Sequence, residues 1–211
     1  MKLTVERIID AGMAVFAETG YHGLSMRRVA QRLDAQAGSL YYHVPNKNAL
    51  VQLMADRVAR QAYDAGTTAL DALAPGADWQ QRIEVQLVTL RHSIRRHAGG
   101  AVMFADSPKV LSPGALSLME RLLHTLREAG VPAAHRGVGA DTLLSHVTGF
   151  VLQEQGQSPT GTVSGDGATA LRERFPMTLA ETGTLTQDEK FIRSVRLLCA
   201  GLDTLVESPP E

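Results

Sequence analysis

The side chains with the most chemical reach lie between Ser25 and Lys47. Gln36, Gly38, Ser39, Tyr42 and His43 share one side of a short segment whose other side is Ala37, Leu40, Tyr41 and Val44, at helical spacing. Small polar groups around one amphipathic ring suit entry into a DNA major groove, where a glutamine amide pairs with adenine through two hydrogen bonds. Gly38 removes bulk where a backbone must come close. Arg27, Arg28, Tyr42, His43 and Lys47 flank that side and have the length to meet phosphates. The same spacing fits an ordinary helical hairpin with a solvated polar face equally well. Residues 1–47 carry Lys2, Arg7, Arg27, Arg28, Arg32 and Lys47 against Glu6, Asp10, Glu18 and Asp34, a balance of +2 that leaves −3 for the rest of the chain. A basic module on an acidic body suggests contact with a polyanion, although stretches this short reach such a balance by chance.

Other constellations carry less. His92 and His97 are five apart and point to different sides of a helix, and His146 and Glu154 lie about two turns apart, too far for one ion. No metal site is therefore expected. No nucleophile elbow, paired-carboxylate motif, Walker loop or GxGxxG occurs, so no catalytic residue is assigned and no cofactor is called for. Asp56-Arg57, Glu120-Arg121 and Arg172-Glu173-Arg174 read as solvated helix faces.

The elements that must hold the 36–44 segment read as helices, with no series of alternating strand-like runs. Thr4 caps a first helix with Ile8, Gly12, Val15 and Phe16 inward, and Gly20 stops it. Ser25 caps a second, with Met26, Val29, Ala30 and Leu33 inward. Asp34-Ala35-Gln36 makes the break of a helix-turn-helix, with Asp34 in the left-handed backbone that glycine usually fills. Pro45 ends the third helix, and Asn46 caps a fourth, to about Asp64, that turns Leu50, Leu53, Met54 and Val58 inward. Further stripes are Ile83-Leu87-Leu90-Ile94, then Leu116-Met119-Leu123-Leu126, then Leu143-Val147-Val151 within 141–155. Residues 105–114 and 156–168 read as loops, with a short helix from about Ala168 to Phe175. The last helix runs from Gln187 to Val206, with Ile192, Val195, Cys199, Leu202 and Val206 close to a heptad seam.

Composition agrees. The chain has 211 residues and 44% apolar content, enough for a sizeable core, and one cysteine, which points to a reducing compartment. No apolar run spans a membrane and the first residues are charged, so a soluble cytoplasmic protein with no membrane partner is expected.

The runs Glu18-Thr19-Gly20, Leu24-Ser25-Met26-Arg27-Arg28-Val29-Ala30, Leu40-Tyr41-Tyr42-His43-Val44 and Asn46-Lys47-Asn48-Ala49-Leu50 are specific. With them, residues 4–54 resemble the DNA-binding domain of the TetR family of transcriptional regulators. The resemblance places base contacts on Gln36, Ala37, Gly38, Ser39 and Tyr41 or Tyr42, and phosphate contacts on Ser25, Arg27, Tyr42, His43 and Lys47, with Arg28 beside them. Asp34 departs from the family's turn glycine. Ser145-His146-Val147-Thr148, Val151-Leu152, Glu154, Phe191 and Gly201-Leu202-Asp203 resemble the tetracycline repressor subgroup, as do Trp79-Gln80 and the loop ending at Pro108. That subgroup binds a tetracycline–magnesium chelate through two histidines, whose positions hold Tyr63 and Met103 here. A thioether does not ligate hard Mg²⁺. The resemblance therefore implies an effector other than tetracycline–Mg²⁺, with ligand-binding residues at Tyr63, Gln86, Met103, Phe104, Pro108, His146, Phe150 and Glu154.

The expectation is an all-α protein. Residues 1–46 form a three-helix helix-turn-helix DNA-binding domain, and 47–211 a larger helical ligand-binding and dimerisation domain. By resemblance it is a homodimer, paired through 138–156 and 188–206, that binds a palindromic double-stranded DNA operator and is released by an unidentified small-molecule effector. An architectural or adaptor protein of the same fold without ligand control is the alternative.

Overall fold

The computed structural model describes residues 2–106, 112–156, 169, 171, 173–181 and 185–206. The regular elements among them are all helices. α1 (Val5–Gly23), α2 (Met26–Arg32) and α3 (Ala37–His43) form the N-terminal bundle, and α4 (Lys47–Asp71) leads out of it. The body adds α5 (Trp79–Arg95), α6 (Gly100–Asp106), α7 (Pro113–Glu128), α8 (Ala133–Gly156), α9 (Pro176–Glu181) and α10 (Gln187–Asp203).

Side-chain caps set most starts. Thr4, Ser25, Asn46 and Ser112 each accept a backbone N–H from the first turn, and Asp78 with Gln81 and Thr186 with Glu189 close reciprocal capping boxes. Gly20 does interrupt α1, with φ 67°, but helical hydrogen bonding resumes as far as Gly23. Asp34 takes the left-handed turn at φ 49°.

α4 is the spine. It packs against α1 on one side of its length and against α5, α6 and α7 on the other, and one apolar core runs without a gap from Ile8 to Cys199. Gly12 lets α1 settle onto α4, because a Cβ there would meet Met54 Sδ at 3.0 Å and Leu50 at 3.2 Å. α8 packs on α5, α6, α7 and α10.

Several expectations change. α4 continues past Asp64 to Asp71, running through Gly66, a buried position that makes room for Arg121. The α7 stripe is rotated. Ala115, Leu118, Leu122 and Leu126 are buried, whereas Leu116 is half exposed and Met119 and Leu123 are only partly covered. Tyr41 was expected inward and is 50% exposed, since the short α3 buries only Leu40. Asp56 and Arg121 are not solvated: Asp56 is 7% exposed and Arg121 is half-buried. α8 starts eight residues before Asp141, at Ala133. Pro176 opens α9 rather than merely ending the helix before it, a position that suits a residue with no N–H. On α10 the buried residues are Phe191, Val195 and Cys199, with Ile192, Leu202 and Val206 half-buried. Of the expected loop 156–168, Gly156 ends α8 and the rest lies outside the described residues, as does Pro108; of the expected loop 105–114, Ala105 and Asp106 belong to α6 and Pro113 and Gly114 to α7.

Candidate functional site

The first site is the outer side of α2 and α3. Ser25 Oγ accepts from Arg28 N at 3.3 Å, which leaves its own O–H to donate outward. Arg27 is exposed, and Arg28 Nη1 donates to Gly23 O at 2.9 Å. Gln36 begins α3 without capping it, so its amide is not tied to its own helix. Gln36, Gly38, Ser39 and Tyr42 stand in solvent, Tyr42 with 89% of its surface, while Ala37 packs partly against the core. The half-buried His43 ring meets Tyr42 edge-on, with centroids 5.4 Å apart. Lys47 Nζ donates to Tyr21 O at 2.7 Å and sits 4.4 Å from the Tyr21 ring centre, fixing the start of α4 against the end of α1. A lysine has three N–H donors, so this bond leaves capacity for an anion.

The second site is an open cavity of about 800 Å³ along the outer side of α7, bordered by Tyr63 of α4. Tyr63 forms its α4 wall, and Leu116, Met119, Leu123 and Arg121 form its α7 wall. Ser117, Glu120 and His124 stand around it, with Glu120 and His124 paired at 3.3 Å. The rotation of the α7 stripe turns these residues toward open space. Gln86 is buried just behind. It accepts from Arg121 Nε at 3.2 Å and donates to Thr125 Oγ1 at 3.1 Å and Arg82 O at 3.0 Å.

Tyr63 and Gln86 therefore meet through Arg121. His146, Phe150 and Glu154 meet elsewhere, around Arg91 and Phe191. Arg91 is 1% exposed and grips Glu154 with two bonds, Nε to Oε2 at 3.0 Å and Nη2 to Oε1 at 2.6 Å. It also reaches Asp188 at 2.7 Å, tying α5, α8 and α10. Burial lowers the Arg91 pKa, but bonds and charge from Glu154 and Asp188 outweigh it and hold the group above its ordinary value. The hydrogen bond from Arg91 holds the Asp188 carboxyl below its usual range. His146 Nε2 lies 2.6 Å from Ser194 Oγ, whose hydroxyl donates to Phe191 O at 2.8 Å, so the imidazole donates to Ser194. Its ring stacks on Phe191, and burial lowers its pKa. Met103 and Phe104 are buried on α6.

This donor set does not suit Mg²⁺. Met103 is a thioether with no exposed surface, and both Glu154 oxygens accept from Arg91. Among the described residues, no three His, Cys, Asp or Glu side chains gather as a metal site requires.

Three buried or half-buried charged residues, Arg91, Arg121 and Asp56, have structural roles that the sequence reading does not give them. Arg91 carried a signal: it falls four after Leu87, inside the apolar stripe, where only a paired cation is stable. Arg121 was masked by the one-residue error in the α7 stripe. Asp56 gave little local signal, because the groups it caps lie far along the chain and only Arg60 is near it in sequence. Its carboxylate accepts from Ser112 Oγ at 2.8 Å and Gly114 N at 2.7 Å, capping α7 from α4, and it pairs with Arg60. Gly114 permits the approach, since a Cβ there would lie 2.8 Å from Asp56 O.

Residues 8–54 match the model of "Bacterial regulatory proteins, tetR family", and residues 73–206 match "Tetracyclin repressor-like, C-terminal domain". The class D tetracycline repressor protein of Escherichia coli is 27% identical over 207 residues, 96% of this chain and 90% of that protein. The TetR family protein ActR of Streptomyces coelicolor, solved in complex with (S)-DNPA, superposes with a TM-score of 0.78 at 26% identity, covering 98% of this chain and 100% of that one. BioQ, solved with its double-stranded DNA operator, gives 0.69 at 25% identity over 96% and 99% of the two chains. No helix among the described residues is long and apolar enough to cross a membrane. The chain belongs to the TetR family of DNA-binding transcriptional regulators, with a tetracycline repressor-like C-terminal domain.

Proposed function

We propose that the protein is a ligand-responsive transcriptional repressor that binds a palindromic operator as a homodimer and leaves it when a small molecule occupies the body. The observation that carries this reading is that α4 touches both sites. Its first residue, Lys47, holds the end of α1, and Tyr63, about 24 Å further along the helix, forms a wall of the cavity. A tilt of one rigid helix then changes how two reading helices are spaced. Release requires that the effector bind the tilted state better, because equal affinity for both states shifts nothing.

In this reading Gln36, Ala37, Gly38, Ser39 and Tyr41 or Tyr42 meet base edges, and Ser25, Arg27, Arg28, Tyr42, His43 and Lys47 meet phosphates. Tyr63 and Gln86 belong to the effector site, and His146, Phe150 and Glu154 form a separate cluster around Arg91 and Phe191. Dimerisation through α8 and α10 is supported by apolar side chains left in solvent there, namely Val138, Leu152 and Leu197, with Leu205 just beyond α10. Val138 and Leu205 line a shallow groove together with Gly139, Leu143 and Leu198.

Selection from a pool of random duplexes, with sedimentation of the purified protein, tests the reading. The expected outcome is a dimer that enriches an inverted repeat with half-sites about 34 Å apart or somewhat more. A monomer with no preference for any inverted repeat overturns it. Tetracycline with magnesium is expected to leave the complex intact, and clear release would overturn the reading of Tyr63 and Met103.

A further inference from the structure

Arg121 differs from the other cation buried in the body. Arg91 is neutralised by Glu154 and Asp188, whereas Arg121 has no carboxylate within ion-pair distance among the described residues. Its guanidinium is held by neutral acceptors only. Nη1 donates to Tyr63 O at 2.8 Å and Thr67 Oγ1 at 3.0 Å, and Nε to Gln86 Oε1 at 3.2 Å. Nη2 is buried against Gly66 with no hydrogen-bond partner. Burial lowers the pKa of the group, and the nearby Asp64 and Tyr63 only partly offset that, yet a guanidinium stays charged at neutral pH. A charge with neutral neighbours and a lone unpartnered donor is costly unless something else completes it.

The cavity beside it has the complementary shape. The guanidinium lies 4.3 Å from the Tyr63 ring centre, and the walls beyond are the apolar Leu116, Met119 and Leu123. Glu120, the carboxylate at the cavity, faces His124 and not Arg121. Resting on the ligand-responsive reading above, we propose that the effector is an anionic compound built on flat aromatic rings, its acidic group paired with Arg121 and its rings laid between Tyr63 and the apolar wall of α7. Both acceptors of Nη1 are on α4. An acid paired with Nη1 draws one of its N–H groups away from Tyr63 O or Thr67 Oγ1, and so loosens α7 from the helix that carries the reading bundle.

The test uses the full-length protein with 1-hydroxy-2-naphthoate and anthraquinone-2-carboxylate, each against its methyl ester, by calorimetry and by release from the selected operator. At least one acid is expected to bind about tenfold or more tighter than its ester. Arg121→Gln should erase that preference and Arg121→Lys should keep part of it, with melting curves showing both variants folded. Equal binding of acid and ester throughout, no binding by either acid, or an acid preference that survives Arg121→Gln overturns the proposal. Operator binding without ligand separates the two readings. If the protein selects an inverted repeat and these probes show no charge preference, the ligand class falls alone; if it selects none, the repressor reading falls with it.

Discussion

Tyr42 buries almost nothing in the fold, so its removal reports on DNA rather than on stability. Tyr42→Ala is expected to weaken operator binding by about 1–3 kcal/mol and to leave the stability of the free protein within about 0.5 kcal/mol. An unchanged operator affinity would remove the ring from the interface. His146 and His97 act on stability instead. Burial lowers both pKa values, and Arg96 adds to the shift at His97, so the unfolded chain binds protons more readily than the native one. Their contribution is complete above the ordinary imidazole value of about 6.5 and is lost as pH falls below it. The melting temperature should drop between pH 7.5 and pH 5.5, and His146→Gln should flatten that drop. A slope that is the same with and without His146 would exclude it as a source. Cys199 is held by burial at a pKa of about 12, which makes it a packing residue and not a reactive thiol.

At the level of elements, the decisive joint is the cap that α4 places on α7. Removing the Asp56 carboxylate leaves the Ser112 hydroxyl and the Gly114 N–H without their acceptor in a buried place. Asp56→Ala should therefore cost about 2–3 kcal/mol in denaturant unfolding. A loss under about 0.5 kcal/mol would show that Ser112 alone caps the helix. The existence of such helices was legible in the sequence, because capping residues and apolar periodicity are local. Thr4, Ser25, Asn46 and the left-handed Asp34 all sit where the spacing puts them. The α7 face was not legible. Leu116, Met119 and Leu123 repeat as well as Ala115, Leu118 and Leu122 do, and the choice between them is made by Asp56 and Gly114 docking the first turn of α7 onto α4. The exposure of Gln36, Gly38, Ser39 and Tyr42 was legible because these residues lie in one short run at helical spacing. The cavity was not, because Tyr63, Gln86 and Arg121 come from three helices and meet only after folding.

For the assembled molecule, operator affinity should fall steeply with salt, since each neutralised phosphate adds about −0.9 to the slope of log K against log salt. Arg27→Ala should reduce that slope by about two in a dimer, one phosphate from each subunit. A flat salt response would contradict the phosphate assignments. The unbroken core also governs how this protein can be re-engineered. Met54 and Leu50 fill the space that Gly12 leaves on α1, so the reading bundle has its floor on the far side of Pro45. A hybrid regulator joined at that proline would seat a foreign bundle on mismatched knobs, whereas a junction beyond Val58 carries floor and bundle together. The portable unit in this chain is thus longer than its three N-terminal helices.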